Sequence, residues 1–431
     1  MRCIPACRWP EALRCERRNV MDYDFNKWMS DYKVISTVGL NEEGGLDRLA
    51  FTDYDFAART ELLNRAYGLR LQCYLDAAEN LWFSKPGTDP DLPPLLIGSH
   101  LDTVPNGGKY DGVLGVMAGF QVMRYLVDNK ISHRRTVEMV AFSCEESSRF
   151  NLSTIGSKLA CGFTTPEKLK NYKDSQGHTP VEFLSRLRYS PESLEERREH
   201  LKNIYGFIEL HIEQGPVLEA TGTDIGIVES IAAPIRLKLD IIGHTDHSGA
   251  CPMDLRHDAL TAAAALITEI ERLGREESVN KSVATVGKIN VPHQALNVVP
   301  GRCEIFVDIR GIRRDSMERI RDGMRNFVRG LEKERGVKVE ETLLSDESPV
   351  PLDHSLGEII ERNCRKTGLS CRWMPSGAGH DAMNVAKLAP TAMIFIPCVG
   401  GVSHSLLENV LEKDLRNSIR ILYEVVMDIC G

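Results

Sequence analysis

Four short apolar runs, spread along the length of the chain, each stop on a residue that can bind a metal or move a proton. LLIGSH stops on His100, TVEMVAFSCEE on Glu145 and Glu146, GFIELHIEQ on His211 with Glu213 and Gln214 beyond it, and TAMIFIPCVGGVSHS on His404. Runs of this length, bounded by Pro and Gly, read as buried strands. Such strands belong to α/β sheets covered by helices, where ligands collect beyond the carboxyl ends of the strands. Each ending taken alone has an ordinary reading: a satisfied histidine, a turn cap, a solvated Glu-Glu pair. Four of them together point to one converged site at a sheet edge.

The stretch Leu95–Gly112, LLIGSHLDTVPNGGKYDG, carries the most chemistry. His100 supplies an imidazole, Asp102 two residues on can hold the ring's other nitrogen, and Asp111 past a Gly-rich turn can reach the same ion. On this stretch alone, Asp102 as a turn cap and Asp111 as the N-cap of the helix that follows weigh equally with a metal site. Gly112, Gly115 and Gly119 do not form a nucleotide loop, because the spacing is not GxGxxG and no basic residue follows to meet phosphate. Small residues there let the helix lie close on a sheet.

Residues 1–20 are basic, Cys-rich and aperiodic and read as a disordered tail. Helical text follows on both sides of a Gly-rich loop at Glu42–Leu46, the second helix stopping at Gly68, and LRLQCYLD and NLWFSKPG read as a strand pair. The charged text from Thr164 to His200 reads as a solvated face, and no role is assigned to His178 or His200, nor to His133, His244, His257, His293 or His354. From Arg236 the order is strand, helix (Asp258–Arg272), strand, strand, helix (Ser316–Glu334), strand, the βαββαβ order of ferredoxin-like modules. The expected architecture is therefore an α/β catalytic domain with a mixed sheet, residues 21–232 and 346–431, split around an inserted lid at 233–345.

Charge excludes some partners. With a net charge of −8 and no basic patch, the chain has no footprint for nucleic acid and no polybasic membrane face. No apolar run approaches the ~20 residues that span a bilayer, and no signal-peptide h-region is present. The twelve cysteines are scattered without a CxxC, and Cys144 and Cys303 sit in apolar runs as small buried hydrophobes, so a cytoplasmic protein with free thiols is expected.

GSHLDTVPNGGKYDG, SCEESSRF, LHIEQGP, HSGACPMDLRHDAL, NVVPG, SGAGHDA and GVSHS, in this order over nearly all of residues 40–410, resemble the M20 metallopeptidase clan. The resemblance is to its amidase, hydantoinase and carbamoylase branch, which holds N-carbamoyl-L-amino-acid hydrolases, β-ureidopropionases and allantoate amidohydrolases. Two departures stand out: the lid motif Asn-His-Ala-Gly is here Asp246-His247-Ser248-Gly249, and Glu-Glu-Gly-Ser is Glu-Glu-Ser-Ser.

The resemblance implies a di-metal site: one cation held by His100 and His211, a second by Glu146 and His404, and Asp111 bridging, with Asp102 behind His100. Zn²⁺ comes first, and the same ligands accept Mn²⁺, Co²⁺ or Ni²⁺. It makes Glu145 the general base, Gln214, Asn297 and Arg310 substrate-binding residues, and His247 of a homodimer's partner subunit an oxyanion stabiliser. A guanidinium suits bidentate capture of a substrate carboxylate, and Gly377 and Ala378 in SGAGHDA offer backbone N–H groups to the same carboxylate. The expected activity is hydrolysis of an N-carbamoyl-L-amino acid to amino acid, ammonia and carbon dioxide. Allantoate hydrolysis and an aminoacylase-like or peptidase activity would use the same metals. A metal-stabilised binding protein without turnover is the reading outside enzymes, and an intact Glu145 argues against it, because a structural site needs no spare base.

Overall fold

The computed structural model describes residues 25–184, 191–292 and 295–431; the expected tail at 1–20 and His293 lie outside them. The chain divides into two compact units, one of residues up to Val228 with Leu352–Trp373 and His380–Gly431, the other Glu229–Pro351 with Met374–Gly379.

The first unit is built on a mixed sheet. Its strands run in the order Gln72–Leu75, Leu81–Lys85, Val137–Phe142, Leu95–His100, Gly206–Ile212, Thr391–Ile396, Ile225–Ile231. The middle four are mutually parallel, and they are the four runs that end on candidate ligands. Three of them are buried at every position and the fourth at all but one, which is why they read as continuous apolar text rather than as alternation. Parallel neighbours share direction, so their carboxyl ends fall on one edge.

Helices cover the sheet. One apolar core joins Ile97, Met139, Ile208 and Ile394 of the sheet to Trp28, Phe120, Ile360 and Leu422 of the helices at 25–35, Val113–Asp128, His354–Thr367 and Glu412–Cys430. The helix Val113–Asp128 buries thirteen of its sixteen residues. It lies so close to the sheet that a Cβ at Gly115 would stand 2.1 Å from the carbonyl oxygen of Leu210. A side chain there would force the helix outward, an overpacking that costs ~1–3 kcal/mol. A second cluster, with Phe51, Cys144, Phe150 and Phe183, lies under the loops that follow the Val137–Phe142 strand.

The second unit carries a four-stranded antiparallel sheet in the order Lys338–Asp346, Ala233–Ile242, Arg302–Gly311, Ser282–Asn290, with the helices Ala259–Glu277 and Arg314–Arg335. Here the burial alternates: Ile235, Leu237, Leu239 and Ile241 face Leu266, Ile270, Ile320 and Met324 of the helices, while Arg236, Lys238 and Asp240 pair with Asp308, Glu304 and Arg302 on the other face. Asp258 caps the first helix, its carboxylate accepting from the N–H groups of Leu260 and Thr261.

Two local expectations change. Gly68 is the last residue of its helix rather than the left-handed stop beyond it; that conformation falls on Arg70, at φ 57°. Asp111 does not cap the helix after it: the cap is Gly112, at φ 65°, and no side chain closes that end. Among the described residues nine cysteines are free, Cys144 and Cys303 fully buried, and no helix is long and apolar enough to cross a membrane.

Candidate metal centre

Three of the four central strands deliver their ligand within a residue or so of the sheet edge or through a tight loop just past it. His100 is the last residue of its strand and His211 the last but one of its own, and both are 1% exposed. Each ring is aimed by a backbone carbonyl on Nδ1: that of Asp102 at 3.0 Å for His100, that of Ile212 at 2.9 Å for His211. The Nε2 atoms are thereby turned toward Asp111, whose Oδ1 lies 3.6 Å from His100 and 3.1 Å from His211. Gly112 makes this approach feasible, since a Cβ there would stand 2.3 Å from the His100 ring.

Glu145 and Glu146 follow a left-handed turn at Cys144, φ 51°. Their N–H groups donate to the two oxygens of Asp102, at 3.1 and 3.0 Å. Asp102 is fully buried and thus serves two ends: its carbonyl orients His100, and its carboxylate holds the Glu-Glu turn. Glu145 Oε2 lies 3.9 Å from His100 Nε2. His404, itself left-handed at φ 54°, brings Nε2 to 3.2 Å from Asp111 Oδ2 and 3.4 Å from Glu146 Oε1.

Two donor groups result, His100 with Asp111 and His211, and Asp111 with Glu146 and His404, their atoms within 4.8 Å of one another in each. Asp111 belongs to both and turns one oxygen to each. Gln214 Nε2 donates to Asp111 Oδ2 at 2.7 Å, beside Ser403 Oγ at 2.9 Å.

The protonation tendencies test whether these residues suit a divalent cation. Burial pushes the Glu145 carboxyl well above its usual range against the opposing pull of His100, and burial with the Asp111 charge pushes Glu146 up to about 7. The hydrogen bond to Asp111 raises His404 to about 9 despite burial. Burial opposes charge on His100 too, yet Glu145, Asp111 and Asp102 raise it well above an ordinary histidine, while Asp111 itself is held low by the histidines in spite of its burial. Glu146, His100 and His404 hold protons that a cation would displace, Asp111 stands ready as an anion, and two carboxylates with three imidazoles form a donor set for Zn²⁺, Mn²⁺, Co²⁺ or Ni²⁺.

Sequence reasoning missed two of the neighbours, Glu209 and Glu408, and gave a third, His380, no role beyond packing behind the ligands. Glu209, fully buried, accepts from Ser99 Oγ at 2.8 Å and from the N–H of Ala382 at 2.9 Å. The His380 ring packs 4.5 Å from that of His211. Glu408, with Ser403, backs the Asp111 loop. Glu209 had a signal, since it stands two residues before His211 in one strand and shares its face.

The remaining expected substrate residues lie in the second unit. His247 is exposed on the two-residue strand Asp246–His247, paired with Val298–Val299, and its Nδ1 accepts from the N–H of Gly249 at 3.1 Å. Asn297 is exposed, its carbonyl accepting from Ser248. Arg310 lies 3.2 Å from Asp308 Oδ2 and donates at 3.1 Å to the carbonyl of Gly377; the N–H of Ala378 donates to Ser376 Oγ at 3.2 Å. The histidines without assigned roles have local partners: His200 Nε2 is 2.6 Å from Glu138, His178 is 2.9 Å from Glu182, and His244 is 3.1 Å from Asp246.

Comparison with known proteins places these motifs. The model of peptidase family M20/M25/M40 matches residues 96–428. The N-carbamoyl-L-amino acid amidohydrolase of Geobacillus stearothermophilus is 36% identical over 392 residues, covering 91% of this chain and 95% of the relative. The allantoate amidohydrolase of Escherichia coli (strain K12) is 32% identical over 393 residues, covering 90% and 94%. Among solved structures, an amidase of the hydantoinase/carbamoylase family from Burkholderia multivorans superposes with a TM-score of 0.85 at 30% identity, over 95% of this chain and 97% of its own.

Proposed function

The chain belongs to peptidase family M20/M25/M40, and on that premise we propose that it is an amidohydrolase of linear, non-peptide C–N bonds that cleaves an N-carbamoyl-L-amino acid to amino acid, ammonia and carbon dioxide. The observation that carries this reading is Asp111, with one oxygen turned to His100 and His211 and the other to His404. His100, His211, Glu146 and His404 are the residues that would hold two divalent cations, with Asp111 between them. Bound there, such cations supply Lewis acidity, acidifying water and polarising an amide or ureido carbonyl.

The chain supplies the proton transfers. Glu145 is the base, taking a proton from water at its carboxylate and returning it to the departing nitrogen. Its neighbours support this: the Asp102 carboxylate fixes its N–H, and burial raises its affinity for the proton it must carry. Arg310, Asn297, Gln214, Gly377 and Ala378 are the proposed contacts for the substrate's carboxylate and carbamoyl group, and His247, acting in a homodimer, the proposed oxyanion donor. The inserted unit has the strand and helix order of a ferredoxin-like module, and the family resemblance would make it a lid and dimerisation domain. The allantoate relative keeps allantoate as the second reading, because both substrates present a ureido group and a carboxylate to the same chemistry.

A panel decides the substrate. Purified protein should release ammonia fastest from N-carbamoyl-L-amino acids, more slowly from allantoate, and least from N-acetyl amino acids and dipeptides. Chelation should abolish turnover and Zn²⁺ or Mn²⁺ restore it. Allantoate as the best substrate would move the assignment to that reading, and full activity in protein shown to be metal-free by elemental analysis would remove the metal site.

A further inference from the structure

Glu408 is buried, 5% exposed, and is not among the metal donors. Its Oε1 accepts two backbone N–H groups, of Tyr110 at 2.8 Å and of Asp111 at 3.1 Å. Its Oε2 lies 3.1 Å from Ser403 Oγ, which is itself 2.9 Å from Asp111 Oδ2. One carboxylate therefore meets the bridging aspartate twice, directly at its backbone and through Ser403 at its side chain. Ser403 is also the residue before His404. The loop that carries Asp111 has been shaped to admit this carboxylate: a Cβ at Gly108 would stand 2.1 Å from it. Elsewhere the loop is held by Tyr32 Oη donating to the carbonyl of Lys109 at 2.7 Å, by Leu46 pairing with Gly107, and by Gln214 Nε2 donating to Asp111 Oδ2 at 2.7 Å; Glu408 with Ser403 also reaches the His404 loop, through the residue before it.

We propose that Glu408 is a positioning residue that ties the Asp111 loop to the Ser403–His404 loop and so sets the second cation site, the one formed by Asp111, Glu146 and His404. The inference rests on the di-metal reading above. Both loops lack the register of a strand to place them, and His404 adopts a left-handed backbone that something outside it must stabilise. A carboxylate that accepts two N–H groups and one hydroxyl does so at a cost of desolvation, which charge-assisted hydrogen bonds offset. Replacing Oε2 by an amide nitrogen turns an acceptor of the Ser403 hydroxyl into a donor to it, while leaving an acceptor for the two N–H groups. The negative charge that draws the Tyr110 and Asp111 N–H groups and the Ser403 hydroxyl onto one point is then gone, and position 408 ties the two loops only by weaker neutral hydrogen bonds.

The test is calorimetric titration of the metal-free full-length protein with Mn²⁺, with folding followed by circular dichroism. Wild type should show two binding events. His404→Ala identifies the one that belongs to the second site. Glu408→Gln should weaken that same event ~10–100-fold, the usual effect of removing a group that orients a ligand, and leave the other within ~3-fold. Ser403→Ala, which removes one hydroxyl and leaves the carboxylate, should weaken the same event in a smaller degree. Two events in wild type with both unchanged in folded Glu408→Gln or in Ser403→Ala would overturn this inference alone. Equal weakening of both events, together with a loss of folded signal, would show a merely structural role and overturn it as well. Absence of any Mn²⁺ binding by wild type would overturn the di-metal reading and this inference with it.

Discussion

His100 and His211 approach Asp111 from the ends of two adjacent parallel strands, whereas Glu146 and His404 approach it from loops. The first pair is 1% exposed and each ring is set by a carbonyl close by in its own chain. In the second pair the side chains are 10% and 49% exposed, and the supports come from elsewhere: Asp102 for the Glu146 turn, Ser403 and Glu408 for the His404 loop. A strand places its ligand through sheet register, which the whole hydrophobic core enforces. A loop must be placed by individual hydrogen bonds, each removable by one substitution. The strand-borne half should therefore be robust and the loop-borne half adjustable.

The largest effect should come from exchanging adjacent residues of the loop-borne half. Glu145→Gln should retain its metal and lose kcat by ~10²–10⁴, the contribution of general acid–base catalysis, whereas Glu146→Gln should lose metal affinity first. Metal analysis beside steady-state kinetics separates the two, and equal metal content with equal loss of rate would erase the division of labour.

A smaller effect bears directly on the comparison. In metal-free protein, His211→Ala should lower unfolding free energy by ~1–3 kcal/mol, because a buried carboxylate loses a partner in a packed site, while His404→Ala, half in solvent, should cost within ~0.5 kcal/mol. Urea unfolding measures both. A larger loss for His404 would reverse the assignment of robust and adjustable halves.

The smallest effect is in pH. His404 is raised from 6.5 to about 9 by its hydrogen bond to Asp111, so the folded state binds that proton more tightly than the unfolded chain. Its stabilisation is full below 6.5 and is lost as pH rises through about 9. Glu146, raised from 4.5 to about 7 by burial and by Asp111, acts in the same sense at lower pH, its share lost between those two values. The urea midpoint of metal-free wild type should fall modestly from neutral pH to pH about 9, given the exposure of His404, and His404→Ala should flatten that fall. An unaltered slope in the variant would assign it to other groups.

How much of this was legible in the sequence follows the same line. The four central strands were visible because strands buried on both faces leave continuous apolar runs, and their endings exposed the candidate ligands as a group. The order of elements in the second unit was visible too, from Arg236 onward, and its first strand alternates in the fold, Ile235, Leu237, Leu239 and Ile241 forming the inner face. What sequence could not supply was the supporting shell. Nothing in SHSLLENV separates Glu408 from a surface carboxylate, because its partners Tyr110 and Asp111 are some three hundred residues away. Asp102 was assigned to His100 through its side chain, yet the nearer contact is its carbonyl, and its carboxylate holds the Glu-Glu turn instead. Backbone conformation was equally hidden: left-handed Cys144, Gln214 and His404 carry no glycine to announce them.

The central sheet is discontinuous in the chain, and this has a consequence for synthesis. The strand Gly206–Ile212 pairs on one side with Leu95–His100, already made, and on the other with Thr391–Ile396, which the ribosome reaches much later. At ~5–20 residues per second, the interval is of the order of ten to forty seconds, and the inserted residues Glu229–Pro351 emerge within it. They can complete their own antiparallel sheet and helices from contiguous chain while the first unit waits. During that wait a strand that the finished fold buries at every position presents an open edge, the kind of surface on which nascent chains aggregate. A chaperone that shields this edge, or a slower passage through the insertion, would thus alter the yield of soluble enzyme without touching any residue of the site.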